Sequence, residues 1–294
     1  MHRVQDGTQG ATLYVVATPI GNLRDVTLRA LDVLKSVDAI AAEDTRIAGR
    51  LLAHYGISTR TFAIHEHNER EAAEKLLRML AEGRCVALVT DAGTPGLSDP
   101  GALAVSRVRA AGFRVIPIPG PSALAAAISI SGIAAGRFLF CGFLPAKSSE
   151  RRSALEQLSH FAHPMVFFEA PHRIAETMTD MQRAFGDERG ILIARELTKV
   201  FEEVQACTLG EAPAWLAAKP QRLKGEFVLL VHGCEGKDVA HRQSEERVLR
   251  LLLAELPVKQ AVRLATQITG GKRNLLYRRA LEADREIRGN KGGD

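Results

Sequence analysis

The sequence predicts an α/β protein: two α/β domains in tandem, then a small all-helical module. Three observations carry this. Short apolar runs alternate with stretches of helical period up to Gly236. Several of those runs end directly in turns rich in Gly and Pro. Beyond Gly236 three helical stretches follow with no strand between them. The expected units are 11–121 and 122–236, both α/β, and a basic, helix-turn-helix-like module over 242–288.

The elements read in order. Leu13–Ala17 is a continuous apolar run, a buried strand, and it stops at Thr18-Pro19-Ile20-Gly21-Asn22. Thr27–Val37 carries apolar residues at 28, 31, 33, 34 and 37, the spacing of one helix face. The short run Ala39–Ala42 ends in the charged cluster Glu43-Asp44-Thr45-Arg46. Asn68 with Glu71 reads as a capping box opening a helix over 69–82. Cys85–Thr90 and Val115–Ile118 are further buried strands, followed by Asp91-Ala92-Gly93-Thr94-Pro95-Gly96 and Pro119-Gly120-Pro121-Ser122. Alternation of this kind predicts a largely parallel sheet, and the second half repeats it. Its strands are expected at 138–143, 165–169, 191–195 and 226–231, its helices at 149–161, 171–185 and 210–218. Three helices, 245–255, 258–268 and 272–286, close the chain, punctuated by Pro257 and Gly270-Gly271.

Composition excludes several classes. A chain of 294 residues that is 46% hydrophobic is neither disordered nor in need of staples. No apolar run approaches the ~18 residues of a membrane helix; the best, Ala123–Ile133, is short and broken by Ser129, Ser131 and Gly132. Cys85, Cys141, Cys207 and Cys234 lie far apart and form no CxxC, which reads as four small buried residues in a reducing, cytoplasmic compartment. Residues 1–241 carry 27 charges of each sign, whereas 242–294 carry 12 Lys/Arg against 7 Asp/Glu, so the helical module holds the whole net charge of +5. A basic segment at one end fits either a polyanion partner or a solvated surface.

In open α/β sheets ligands collect beyond the carboxyl ends of the strands, and small Gly/Pro turns there admit a ligand to the backbone. Three such turns in one domain point to a ligand site. None is a Walker loop or a GxGxxG turn, so an ATP or dinucleotide site is unsupported. Asp91 at a strand end suits a hydroxyl or a cationic group, or caps its own loop.

These residues carry a resemblance. Leu13–Leu23, Glu43–Arg46, Val89–Pro95, Pro119–Ser122 and Lys224-Gly225-Glu226 are similar to the tetrapyrrole (corrin/porphyrin) methylase family. Phe143–Lys147, Glu169–Arg173, Ala194–Lys199, Leu256–Lys259 and Lys272–Tyr277 resemble its ribosomal RNA branch, over about residues 12–286. The small-molecule branch has GxGxGD where this chain has Thr18–Leu23, and GDP where it has Asp91–Pro95. The resemblance implies two α/β domains with S-adenosylmethionine in the cleft between them, a homodimer, and 2′-O-methylation of a cytidine ribose in small-subunit rRNA near the decoding centre, free or in the assembled subunit. It assigns the cofactor to Pro19, Asp91, Ala92, Gly93, Thr94 and Pro95, and to Pro119, Gly120, Pro121, Ser122 and Ala123.

Methyl transfer from a sulfonium needs no metal but needs the nucleophile in line, and a base within reach of the ribose hydroxyl helps. Glu43, Asp44, Glu169 and Glu196 are the candidates, each at an expected strand end, with Asp44 and Glu169 the catalytic pair favoured. Arg46, Arg173, Arg195 and Lys199 lie close to them and fit RNA phosphate or structural ion pairs. Lys259, Lys272, Arg273, Arg278 and Arg279 are the expected rRNA contacts of the helical module. His65-Glu66-His67 lacks a third ligand in pattern and is not read as a metal site. Trp215 and Tyr277 fit base stacking or, more simply, core packing. Two other functions remain open: a methylase of a small tetrapyrrole, and a non-catalytic RNA-binding sensor of S-adenosylmethionine.

Overall fold

A computed structural model describes residues 10–65, 68–133, 136–234 and 236–289. The first unit is built on β1 (Thr12–Val16), β2 (Ala39–Ala42), β3 (Thr61–Ala63), β4 (Val86–Val89) and β5 (Arg114–Ile118). All four pairings are parallel and the order is β3-β2-β4-β1-β5. Side chains alternate between the two faces. Leu13, Ala41 and Leu88 pack against α3 (Glu69–Ala81) and α4 (Ala102–Ala110); Val16, Ile40 and Ala87 pack against α1 (Leu28–Ser36) and α2 (Thr45–His54). Both faces are covered, which is why these strands read as unbroken apolar runs.

The second sheet corrects the expected parallel arrangement. It is formed by β6 (Leu139–Phe143), β7 (Met165–Glu169), β8 (Gly190–Arg195), β9 (Glu203–Thr208) and β10 (Phe227–Val231), in the order β6-β7-β10-β8-β9. Only β6 and β7 are parallel; the other three pairs are antiparallel. The reason is local. A seven-residue loop joins β8 to β9, too short for a crossover helix, so the chain must turn back on itself. One face carries α6 (Ser148–Leu158), α7 (Ile174–Phe185) and α8 (Ala212–Ala217); the other carries α5 (Ala123–Ser129). Between α6 and α7, Arg151 is almost fully buried, donating from Nε to Asp180 at 2.7 Å and from Nη2 to Glu176 at 3.1 Å.

Helices α9 (Gly236–Glu255), α10 (Val258–Thr269) and α11 (Arg273–Gly289) enclose a small core of Leu249, Leu253, Val262, Ala265 and Leu276. Helix α9 starts nine residues before the expected 245, because 236–244 are mostly polar and give no helical stripe. Gly270 ends α10 in the left-handed region at φ 72°.

Other expectations are corrected too. Helices α2 and α4 and strands β3 and β9 had no clear signal in the sequence. Strand β3 has three residues, and α4 has Gly101 as its N-cap, which brings no side chain of its own. The capping box at Asn68 does not form. Asn68 Oδ1 instead accepts from His65 N at 2.8 Å and its Nδ2 donates to Ala63 O at 3.2 Å. Glu69 meanwhile accepts from the Gly101 and Leu103 amides, at the start of α4. Of the cysteines only Cys234 is buried; Cys141 and Cys207 are half-buried because they sit on the edge strands β6 and β9. No helix among the described residues is long and apolar enough to cross a membrane.

Candidate active site

Strand order explains why three turns distant in sequence meet. Strands β4, β1 and β5 are adjacent and parallel, so the turns that leave their carboxyl ends stand side by side. Thr18 and Gly93 exchange backbone hydrogen bonds of 2.9 and 3.0 Å, and Thr18 Oγ1 donates to Thr90 O at 3.1 Å. Thr94 Oγ1 donates to Pro121 O at 3.1 Å, tying the second turn to the third. Glycine is required at 93, where φ is +80°. At 120 an added Cβ would lie 3.1 Å from Ala17 Cβ.

The joined turns separate two cavities. The first, about 320 Å³, lies between the two sheets. Ala92, Gly93, Thr94, Ser122 and Ala123 line it from the first unit, and Phe168, Glu169, Ala194 and Val228 from the second. The second, about 490 Å³, lies over α2 and is lined by Pro19, Leu23, Ile47, Arg50, Leu51 and Asp91, with Lys199 reaching in from the other unit. Ile20, Ala92 and Glu226 belong to both. The expected cofactor residues are therefore divided: Pro19 and Asp91 face the second cavity, whereas Pro95, Pro119, Gly120 and Pro121 support the turns without lining either. Sequence reading missed Ile20, Arg50, Leu97, Asp99, Phe168 and Glu226. Asp99 and Arg50 lie on stretches with no strand-end signal, and Glu226 is legible only as part of the Lys224-Gly225-Glu226 motif.

Charge is concentrated at the strand ends. Asp91 N donates to Glu43 Oε2 at 3.2 Å and Asp44 N to Asp91 Oδ1 at 3.0 Å, so β2 and β4 are laced together where they end. Burial raises the pKa of both Glu43 and Asp91. Burial, with the negative charges of Glu43 and Asp91, raises Asp99 to about 6. Asp44 caps α2 and takes a bidentate pair from Arg46, whose hydrogen bonds hold its pKa at about 2. Arg46 itself is 86% exposed.

Glu169 lines the first cavity but has local partners: Oε1 accepts from Ala170 N at 2.8 Å, Oε2 from Thr177 Oγ1 at 2.6 Å, and Arg173 Nε stands 3.3 Å away. Arg173 also donates to the Leu144 and Pro145 carbonyls, so its guanidinium is spent on the fold. Lys199 Nζ bridges Glu196 and Glu226, at 2.8 Å each. Burial alone would lower the Lys199 pKa; the two carboxylates outweigh it and raise it. The loop that carries Lys199 is strained, with Glu196 and Thr198 at φ 52° and 66°. Gly21 presses on it: a Cβ there would lie 2.3 Å from Lys199 Cγ.

In the helical module Lys259, Lys272 and Arg273 are exposed, while Arg278 pairs with Glu156 on α6 and Arg279 with Glu245. Trp215 packs beside the core of the second unit with Arg222 stacked 4.1 Å from its ring, and Tyr277 is exposed. Among the described residues no three His, Cys, Asp or Glu side chains are grouped to hold a metal; Glu66 and His67 of the His65-Glu66-His67 triplet lie outside them.

Comparison with known proteins follows the same division. Residues 12–213 match the family described as Tetrapyrrole (Corrin/Porphyrin) Methylases, and residues 241–284 match the RsmI C-terminal HTH domain. The Ribosomal RNA small subunit methyltransferase I of Escherichia coli O157:H7 is 48% identical, over 96% of this chain and 98% of that one. The protein of the same name from Vibrio cholerae serotype O1 is 50% identical, over 92% and 94%. Among solved structures, cobalt precorrin-4 methyltransferase aligns with a TM-score of 0.57 at 16% identity, over 76% of this chain and 95% of that one. Uroporphyrin-III-C-methyltransferase from Thermus thermophilus aligns with 0.54 at 19%, over 79% and 97%. At these identities the structural likeness speaks to the fold.

Proposed function

The chain belongs to the tetrapyrrole (corrin/porphyrin) methylase family, in its ribosomal RNA small subunit methyltransferase I group, and from that premise we propose that it methylates a cytidine ribose 2′-hydroxyl of small-subunit rRNA near the decoding centre. It is an rRNA methyltransferase that uses S-adenosylmethionine. The observation that carries the reading is the hydrogen-bonded meeting of the turns after β1, β4 and β5 at a cleft shared by both sheets.

The first cavity suits this donor. Its volume is within the ~300–1,000 Å³ of small-molecule sites. Ile20, Leu97 and Phe168 offer apolar walls, and Asp99, ionised at pH 7, offers a counter-charge to a cation. S-adenosylmethionine supplies an electrophilic methyl group on a sulfonium and calls for no metal. The protein's part is chiefly positioning, which contributes roughly 7–11 kcal/mol in favourable cases.

Of the carboxylates, Glu226 alone faces both cavities, and we assign it the orientation of the hydroxyl. Asp44 and Glu169, the residues favoured from sequence, serve beside it as anchors of the α2 cap and of the turn after β7. Asp44, held at about 2, is too weak a base to carry the proton away at neutral pH. Lys199 and Arg46 supply positive charge for the neighbouring phosphate, Arg173 holds the Leu144-Pro145 turn after β6, and Lys259, Lys272 and Arg273 extend the RNA contact. The protein acts as a homodimer in the cytoplasm, on rRNA either free or in the assembled subunit.

The test is methyl transfer from labelled S-adenosylmethionine to assembled small subunits, free rRNA and a tetrapyrrole, followed by mapping of the ribose methyl. Label confined to a cytidine 2′-oxygen supports the reading. Label on the tetrapyrrole, or on no RNA at all, ends it.

A further inference from the structure

We propose that the second cavity, over α2, seats the base of the target nucleotide, and that Asp91 makes it selective for cytosine by accepting from the exocyclic amine. This rests on the rRNA methyltransferase reading above and adds to it the element that chooses the base.

Four observations lead there. The cavity is separate from the one between the sheets yet shares a wall with it, at Ile20, Ala92 and Glu226. A nucleotide with its base in one chamber thus has its ribose at the boundary with the other. Next, the cavity has apolar sides: Leu23 and Ile47, both partly exposed, line it, as does Leu51. A flat base unstacked from single-stranded RNA needs such surfaces.

The polar groups in it are few and of opposite sign. Arg50 and Lys199 are donors; Asp91 and Glu226 are acceptors. Glu226 already accepts from Lys199. Asp91 gives Oδ1 to the Asp44 amide, and no described residue donates to its Oδ2. Cytosine presents an amine donor beside ring and carbonyl acceptors, which matches a carboxylate next to cations. Uracil presents a carbonyl oxygen where cytosine has the amine, and would set oxygen against oxygen. A well-placed contact of this kind discriminates by roughly 5- to 150-fold. Finally, Asp91 is fixed: its main chain bonds Glu43 and its side chain bonds Asp44, so the free oxygen is aimed by two strands rather than by a flexible loop.

The experiment uses subunits reconstituted with cytidine or with uridine at the methylated position, and the full-length protein. Asp91→Asn keeps the Oδ1 acceptor for the Asp44 amide and replaces the free oxygen by a donor. The expected result is a fall in kcat/KM on cytidine of about 5- to 150-fold, with uridine methylation unchanged or raised, so that the preference collapses. Ile47→Trp, at a partly exposed position, fills the cavity and should lower kcat/KM on either base at least tenfold. In both variants the dissociation constant for S-adenosylmethionine, read by calorimetry, should stay within threefold of the parent. An equal loss on cytidine and uridine for Asp91→Asn overturns the proposal. So does a tenfold weaker donor affinity in either variant, which would make the second cavity part of the donor site. A parent protein that methylates no RNA refutes the broader reading instead.

Discussion

Gly21→Ala adds a single methyl group at the place where the two α/β units touch through their loops. Its Cβ would stand 2.3 Å from Lys199 Cγ, 2.9 Å from Thr198 Oγ1 and 3.1 Å from Lys199 Cε. Carbon atoms pack at about 3.5–4.0 Å, so the lysine stem must retreat by more than 1 Å. It cannot do so freely, because Nζ is held by Glu196 and Glu226 at 2.8 Å each. Overpacking of this kind costs about 1–3 kcal/mol, and loss of the half-exposed ion pairs adds about 0.2–1 kcal/mol each. At about 2–4 °C per kcal/mol for a chain of this size, the melting temperature should fall by roughly 3–20 °C. Thermal unfolding by circular dichroism measures this, alongside Lys199→Ala and the double variant. If the clash is the cause, removing the lysine stem relieves it, and the double variant is more stable than the two single losses added together by about 1 kcal/mol or more. Strict additivity, or a Gly21→Ala protein within 0.5 kcal/mol of the parent, would refute the reasoning.

Asp99 gives a pH prediction. Donor affinity should rise as pH increases through about 6, because the carboxylate ionises there and the donor is a cation; Asp99→Asn should flatten that step in calorimetric titrations. Its folded pKa lies above the unfolded value, so the same group favours the fold at low pH and loses that contribution as pH rises from about 4 to about 6. Arg151→Ala leaves buried Asp180 without its partner and should cost about 3–5 kcal/mol in urea unfolding; a loss under 1 kcal/mol would contradict the buried pairing. Reversing Lys259, Lys272 and Arg273 to Glu should weaken rRNA binding and flatten the log–log salt slope by as much as about three. An unchanged slope in filter binding would remove the module from the RNA contact.

Much of the first unit could be read directly. Strands buried on both faces must be apolar throughout, so Leu13–Ala17, Ala39–Ala42 and Cys85–Thr90 stand out whatever their neighbours are. Turn chemistry is equally local: Gly93 needs its positive φ, and Ser122 caps α5 through the Ala125 amide. The helical module announced itself by its charge and by Pro257 and Gly270. Edge strands were harder. Strand β9 alternates weakly and β3 is three residues long, because an edge with one covered face or few partners asks little of its residues.

What no local pattern contains is strand order. That β4 and β5 flank β1 follows from crossovers and the packing of helices on both faces, and it alone brings Thr18 to Gly93 and Thr94 to Pro121 within hydrogen-bond distance. The same holds for partnership. Asp44, Glu169 and Arg173 have the residue types a catalytic or phosphate-binding role requires, yet each carboxylate or guanidinium is committed to the nearest complementary group, which only the folded chain reveals. Residue type and short-range periodicity are fixed by the order of amino acids; which charges meet, and which cavity a given carboxylate faces, depend on contacts between residues tens to hundreds of positions apart.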